Sequence, residues 1–163
     1  MKKITIVISV LCSVLLFSAF KAAKIEPNKT IKCMIQTKKY TGEPAYIAVS
    51  LLDASGKYEK TLRLIGNDDS WFNSLLDWWK YLGESDNTID AVSGATITPG
   101  DRSVVVLEIP ESKIDKNYSI RFESAVEKQE YYNTDLEIAL TTGNLQGKFE
   151  GTGYVRYVRL MAH

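Results

Sequence analysis

Tyr46-Ile47-Ala48-Val49-Ser50-Leu51-Leu52, then Asp53-Ala54-Ser55-Gly56-Lys57, then Tyr58-Glu59-Lys60-Thr61-Leu62-Arg63-Leu64-Ile65 is the stretch that decides the fold. The first run, taken as Ala45–Asp53, is apolar on both faces, as expected of a strand covered on both sides and central in its sheet. Ala54-Ser55-Gly56-Lys57 is a gap of hairpin length with a glycine in it. Tyr58–Ile65 then returns with alternation, Tyr58, Leu62 and Leu64 to one face and Glu59, Thr61 and Arg63 to the other.

Outward from this hairpin the chain offers more short strands. Thr30–Thr37 precedes it. Ser103–Ile109, strongly β-branched, follows, and then Asn117–Ser124, in which Tyr118, Ile120 and Phe122 alternate with Ser119, Arg121 and Glu123. Asn133–Thr141 and Gly153–Met161 come last, separated by a Gly-rich loop over Thr142–Gly151. About seven short strands joined by turns predict an all-β protein, an antiparallel β-sandwich of immunoglobulin-like type. One helix is inserted, over about 70–82. Asn67-Asp68-Asp69-Ser70 supplies capping side chains and negative charge at its start, and Gly83 a stop. Trp71, Leu75, Trp78 or Trp79, and Leu82 fall at helical spacing. The helix is expected to cross between the sheets or cover one end.

The 163 residues carry 20 basic and 20 acidic side chains. Residues 1–23 hold Lys2, Lys3 and Lys21 with no acid, followed from Ile4 to Phe20 by a mainly apolar run. This is the layout of a signal peptide, or of an N-terminal anchor if it is retained. Residues 24–163 then form a single, mildly acidic domain, which argues against nucleic acid as a partner. The location is periplasmic or otherwise extracytoplasmic, with a membrane tether if the segment stays. Cys33 is the one cysteine outside that segment, and it lies on the apolar side of a strand, as a structural thiol does. The sole histidine, His163, ends the chain, so histidine-based nucleophilic catalysis has almost nothing to be built from. The Glu127–Glu130 cluster reads as a solvated loop edge.

One stretch carries more than turn chemistry: Asp90-Ala91-Val92-Ser93-Gly94-Ala95-Thr96, with Pro99-Gly100 close behind. As bland material it is a surface turn, since Ser, Gly, Thr and Pro are ordinary there. It also resembles the acceptor motif of flavin:protein FMN transferases, Asp-x-x-Ser/Thr-Gly-Ala-Thr/Ser, matched by Asp90, Ser93, Gly94, Ala95 and Thr96. The resemblance implies that Thr96 carries FMN through a phosphoester, installed by a separate transferase that uses Mg²⁺ and FAD. It further implies that Gly94 and Ala95 keep the approach clear, that Ser93 bonds a phosphate oxygen, and that Asp90 anchors the loop or aids recognition.

From Pro44 to about Tyr132 the order of features is similar to a family of predicted periplasmic proteins of unknown function. Asp53-Ala54-Ser55-Gly56-Lys57, the Trp-bearing helix, the Asp90–Gly100 motif and the acidic, aromatic Phe122–Tyr131 stretch carry the likeness. The chain departs from that family at Ile97-Thr98, where Arg and Pro are common, and lacks a Trp-Asp-Gly run within Ser103–Ile109. The implied function is an exported electron-transfer module, a redox carrier rather than a self-contained catalyst, whose partners are the transferase and a membrane or periplasmic redox protein. The tryptophans then have two readings: they dock the helix on the sheet, or one, Trp79, stacks near the flavin. The alternative for the whole chain is an immunoglobulin-like binding or structural module of the cell envelope without cofactor.

Overall fold

The computed structural model describes residues 26–84, 92–93 and 96–162. Residues 1–25, which include the expected signal segment, and Asp90, Gly94, Ala95 and His163 lie outside the described residues, and Ser93 is described by its backbone alone. The strands are β1 (Asn28–Thr37), β2 (Tyr46–Leu52), β3 (Tyr58–Ile65), β4 (Val92–Ser93), β5 (Arg102–Pro110), β6 (Ser119–Ala125), β7 (Tyr131–Ala139), β8 (Lys148–Glu150) and β9 (Val155–Ala162). They form a four-stranded sheet in the order β5-β1-β9-β8 and a five-stranded sheet in the order β4-β3-β2-β6-β7. The two sheets face each other across a core that includes Ile31, Cys33, Ile35, Ile47, Val49, Leu51, Leu107, Phe122 and Val158. The expected all-β sandwich with one inserted helix is what the chain forms.

The immunoglobulin likeness holds with a twist in the chain order. In the lettering of those domains, β1, β2, β3, β5, β6 and β7 stand at B, C, C′, E, F and G. The place of strand A, beside B, is taken by the last strand, β9. Two short strands fall where only loops were expected: β8, inside the Gly-rich segment, and β4, which runs parallel to the end of β3.

β2 is buried at all seven positions, as its two-faced apolarity demands. Its inner face meets the other sheet, and its outer face is covered by helix. Tyr46 and Ala48 of β2, with Leu64 and Ala125, pack beneath Phe72, Leu75 and Trp78 in a second, smaller core. The helix therefore lies on the outer face of the five-stranded sheet rather than crossing between sheets. It is also in two pieces, a 3₁₀ turn over Asp69–Ser74 and an α-helix, α1, over Leu76–Glu84. Asp68 caps the first piece by accepting from the Ser70 amide at 3.0 Å, and its bonds from the Ser70 hydroxyl and then that amide hold its carboxyl below the usual range. α1 runs through Gly83 to Glu84, so that glycine is not the stop.

The alternation expected in β3 is broken. A register shift between the pairs Val49↔Arg63 and Ser50↔Thr61 inserts one residue, and Leu62 and Leu64 then enter different cores. A bulge does this because one extra residue reverses the side to which the following side chains point.

Candidate functional site

Val92, Ser93 and Thr96–Gly100, the described part of the Asp90–Gly100 stretch, lie at one end of the sandwich, where β1, β3 and β6 end and β2, β5, β7 and β9 begin. In variable immunoglobulin domains the loops of one end, B–C and F–G among them, form the binding surface, and the same end is meant here. The motif's backbone is fixed on both sides. Upstream, Val92 and Ser93 pair with Leu64 and Ile65. Downstream, the Ile97 carbonyl accepts from the Ala45 amide at 3.1 Å. The Ile97 side chain is 2% exposed and sits in the main core. A cation at this position would have to be desolvated there, so the departure to isoleucine serves packing.

Beyond Thr98 the chain is clamped to the end of β1. Thr37, itself buried, donates its hydroxyl to the Thr98 carbonyl at 2.8 Å and accepts from the Gly100 amide at 3.0 Å. The Asp101 amide closes a turn onto the Thr98 carbonyl at 2.9 Å. Pro99 and Gly100 are its central residues, and Gly100 takes φ +86°, which this turn needs and glycine accepts without strain. Thr96 lies between these two tethers and is half-buried, so its residue is not sealed in the core.

A second set of residues gathers under α1, and the alternating pattern of β6 concealed it. Glu123, expected on a polar face, is fully buried. Its Oε1 accepts from the Tyr58 hydroxyl at 2.5 Å, and its Oε2 from the Tyr131 hydroxyl at 2.6 Å and the Trp78 amide at 3.2 Å. The Asp77 amide donates to the Tyr131 oxygen at 3.0 Å. Two of the otherwise unpartnered first-turn N–H groups of α1 are thus satisfied from the sheet, and a carboxylate stands where the helix dipole favours negative charge. Loss of hydration on burial, set against these three hydrogen bonds, leaves the Glu123 carboxyl above the usual range. Burial and the bonds to Glu123 push both tyrosines up as well. The one signal for this cluster was an acid beside Phe122 in a strand beneath a helix rich in tryptophan.

The two helix tryptophans Trp78 and Trp79 stand in different surroundings. Trp78 is buried and donates Nε1–H to Thr61 Oγ1 at 2.9 Å, so it docks the helix. Trp79 points outward, 43% exposed. Cys33 is buried in the core, and burial pushes its thiol up to about 12, which suits a structural residue and not a nucleophile. Asp135, also buried, accepts from the Gly153 and Val155 amides at 2.6 and 2.8 Å and pins the entry to β9. The described residues contain no group of side chains suited to a metal ion, and none of their helices is long and apolar enough to cross a membrane.

Fold and site together define an immunoglobulin-like sandwich with a helix on its outer face and a tethered Ser/Thr-rich loop at one end. The chain belongs to the family described as predicted periplasmic protein (DUF2271), which matches residues 28–157. No curated protein and no solved structure matches it.

Proposed function

We propose that this chain is an exported electron carrier with FMN esterified to Thr96 by a separate flavin:protein FMN transferase. The observation that carries the reading is the position of Thr96, half-buried between two fixed lengths of backbone at a loop end of the sandwich. An acceptor hydroxyl has to be reachable by another enzyme, and its attached group has to be held in a defined place. A half-buried residue outside the core, on a tethered chain, suits both needs. The two residues before it, Gly94 and Ala95, are the smallest available and add little bulk around the hydroxyl.

In the attachment step Thr96 Oγ forms a bond to the flavin-side phosphorus of FAD. The pyrophosphate P–O bond breaks, AMP leaves, and the hydroxyl proton passes to a base of the transferase, which also holds the Mg²⁺. The attached flavin supplies the redox chemistry, and the protein positions it. Ser93 is assigned a hydrogen bond to a phosphate oxygen and Asp90 the loop's anchor or recognition point. Outside the cytoplasm a covalent link prevents loss of the cofactor, which suits the family's description as periplasmic. Electrons then pass to and from a membrane or periplasmic redox protein.

The test is coexpression with a flavin transferase, followed by intact mass and in-gel flavin fluorescence. One added FMN is expected, lost in Thr96→Ala and kept in Thr96→Ser. An unchanged mass, under conditions that modify a known acceptor, overturns the reading and leaves a cofactor-free envelope module.

A further inference from the structure

We propose that the outer edge of β5, unpaired with any strand among the described residues, is a dimerisation surface, on which a second copy of this chain pairs antiparallel about a two-fold axis through Val105. This inference is independent of the flavin reading.

An exposed sheet edge presents unpaired N–H and C=O groups, and folded proteins blunt such edges with bulges, inward charges, shortness, lysine or proline. The other long edge is treated in that way. β7 has a register shift against β6 between Phe122 and Ser124, and it turns Asp135 into the interior. β8 has three residues, and β4, beside β3, has two. β5 is neither short nor bulged and turns no charge inward. It is nine residues long, pairs with β1 from Arg102 to Pro110 without a break in register, and has no lysine and no proline before its last position. It also exposes Val104 at 57% and Val106 at 39%, two of the four large apolar side chains exposed among the described residues.

The hydrogen-bond phase of this edge can be read directly. The Thr37 amide donates to the Asp101 carbonyl at 2.9 Å, and the Glu111 amide to the Pro27 carbonyl at 3.0 Å. Odd-numbered residues of β5 therefore bond to β1, and by alternation Arg102, Val104, Val106 and Glu108 turn their backbone groups to the free edge. Arg63 reaches over from β3 to bond the Val106 carbonyl at 3.2 Å, as expected of an edge-facing group, and the oxygen keeps a second lone pair.

Those same four residues are the exposed ones. With the axis at Val105, Arg102 lies opposite Glu108 of the second copy, Val104 opposite Val106, and the reverse pairs repeat by symmetry. Each apolar side chain meets an apolar one, and each charge its opposite. A shift of the axis by one residue in either direction leaves Arg102 without Glu108. Neither side chain is in an ion pair among the described residues. An isologous interface requires a surface that is its own complement, and this strand meets the requirement in both backbone and side chains.

The experiment is sedimentation equilibrium of the full chain over a range of concentrations, with charge-swapped variants. Arg102 and Glu108 are six residues apart on one strand, about 20 Å, so they do not interact within a copy. The wild type is expected to dimerise. Arg102→Glu and Glu108→Arg should each raise the dissociation constant at least tenfold, and the double variant should restore it. Val104→Pro, which removes an edge-facing N–H and no bond to β1, should give monomers with an unchanged circular dichroism spectrum. A wild type that stays monomeric throughout, a dimer indifferent to Val104→Pro, or a double variant that fails to recover overturns the proposal.

Discussion

Replacing Glu123 tests a fully buried carboxyl that accepts three hydrogen bonds. In Glu123→Ala the hydroxyls of Tyr58 and Tyr131 and the Trp78 amide lose their acceptor. A buried donor left without a partner costs about 1–3 kcal/mol. Tyr58 and Tyr131 are half-buried and recover part of this from water, so the expected loss is about 3–5 kcal/mol. Glu123→Gln is milder. Its amide oxygen can replace Oε2, keeping Tyr131 and the Trp78 amide, while its NH₂ meets a Tyr58 hydroxyl that turns to accept. The cost there is about 1 kcal/mol.

The pH dependence separates charge from shape. Burial, the leading cause, raises the Glu123 carboxyl above the ordinary 4.5, so the folded protein holds this proton to higher pH than the unfolded chain does. Stability from this group is therefore greatest below the ordinary value, falls as pH rises to the folded value, and is flat beyond it. The slope is at most about 1.4 kcal/mol per pH unit. Glutamine does not titrate, so the deficit of Glu123→Gln against wild type should shrink as pH rises through that window, and the other acids cancel between the two proteins. Urea unfolding from about pH 4 to about pH 8, followed by tryptophan fluorescence, measures the difference. A deficit that is constant with pH, or that grows, refutes the account of Glu123 as a carboxyl strained by burial.

Two further outcomes follow from the helix and the central strand. Trp78→Ala should cost about 3–5 kcal/mol in urea unfolding, because it empties the small core under α1 and strands Thr61, whereas Trp79→Ala should cost under about 1 kcal/mol. Equal losses would show that the wrong tryptophan has been assigned to docking. Ser50 Oγ is buried in β2 and has no hydrogen-bond partner among the described residues. Ser50→Ala should accordingly raise stability by about 1 kcal/mol, and a clear loss would mean that the hydroxyl has a partner after all.

Read from residues alone, the hairpin of β2 and β3, the two-sided burial of β2, a cap within Asn67–Ser70 and the burial of Cys33 were all available, because each rests on neighbours within a few positions. So was the Asp90–Thr96 pattern as a motif. The sandwich followed from strand count and spacing. What local pattern could not supply was the identity of the cover on each face. Alternation says that Glu123 points away from Phe122, but a helix 45 residues earlier decides that this direction is an interior. Alternation likewise puts Leu62 with Leu64 until a bulge, set by pairing with β2, parts them. The last strand's place beside β1, the turning of Ile97 into the core and the clamp of Thr37 on Thr98–Asp101 are contacts between distant segments. Periodicity reports which side chains share a face; only packing of the whole chain determines whether that face meets water, another sheet or a helix, and so which polar groups must find partners there.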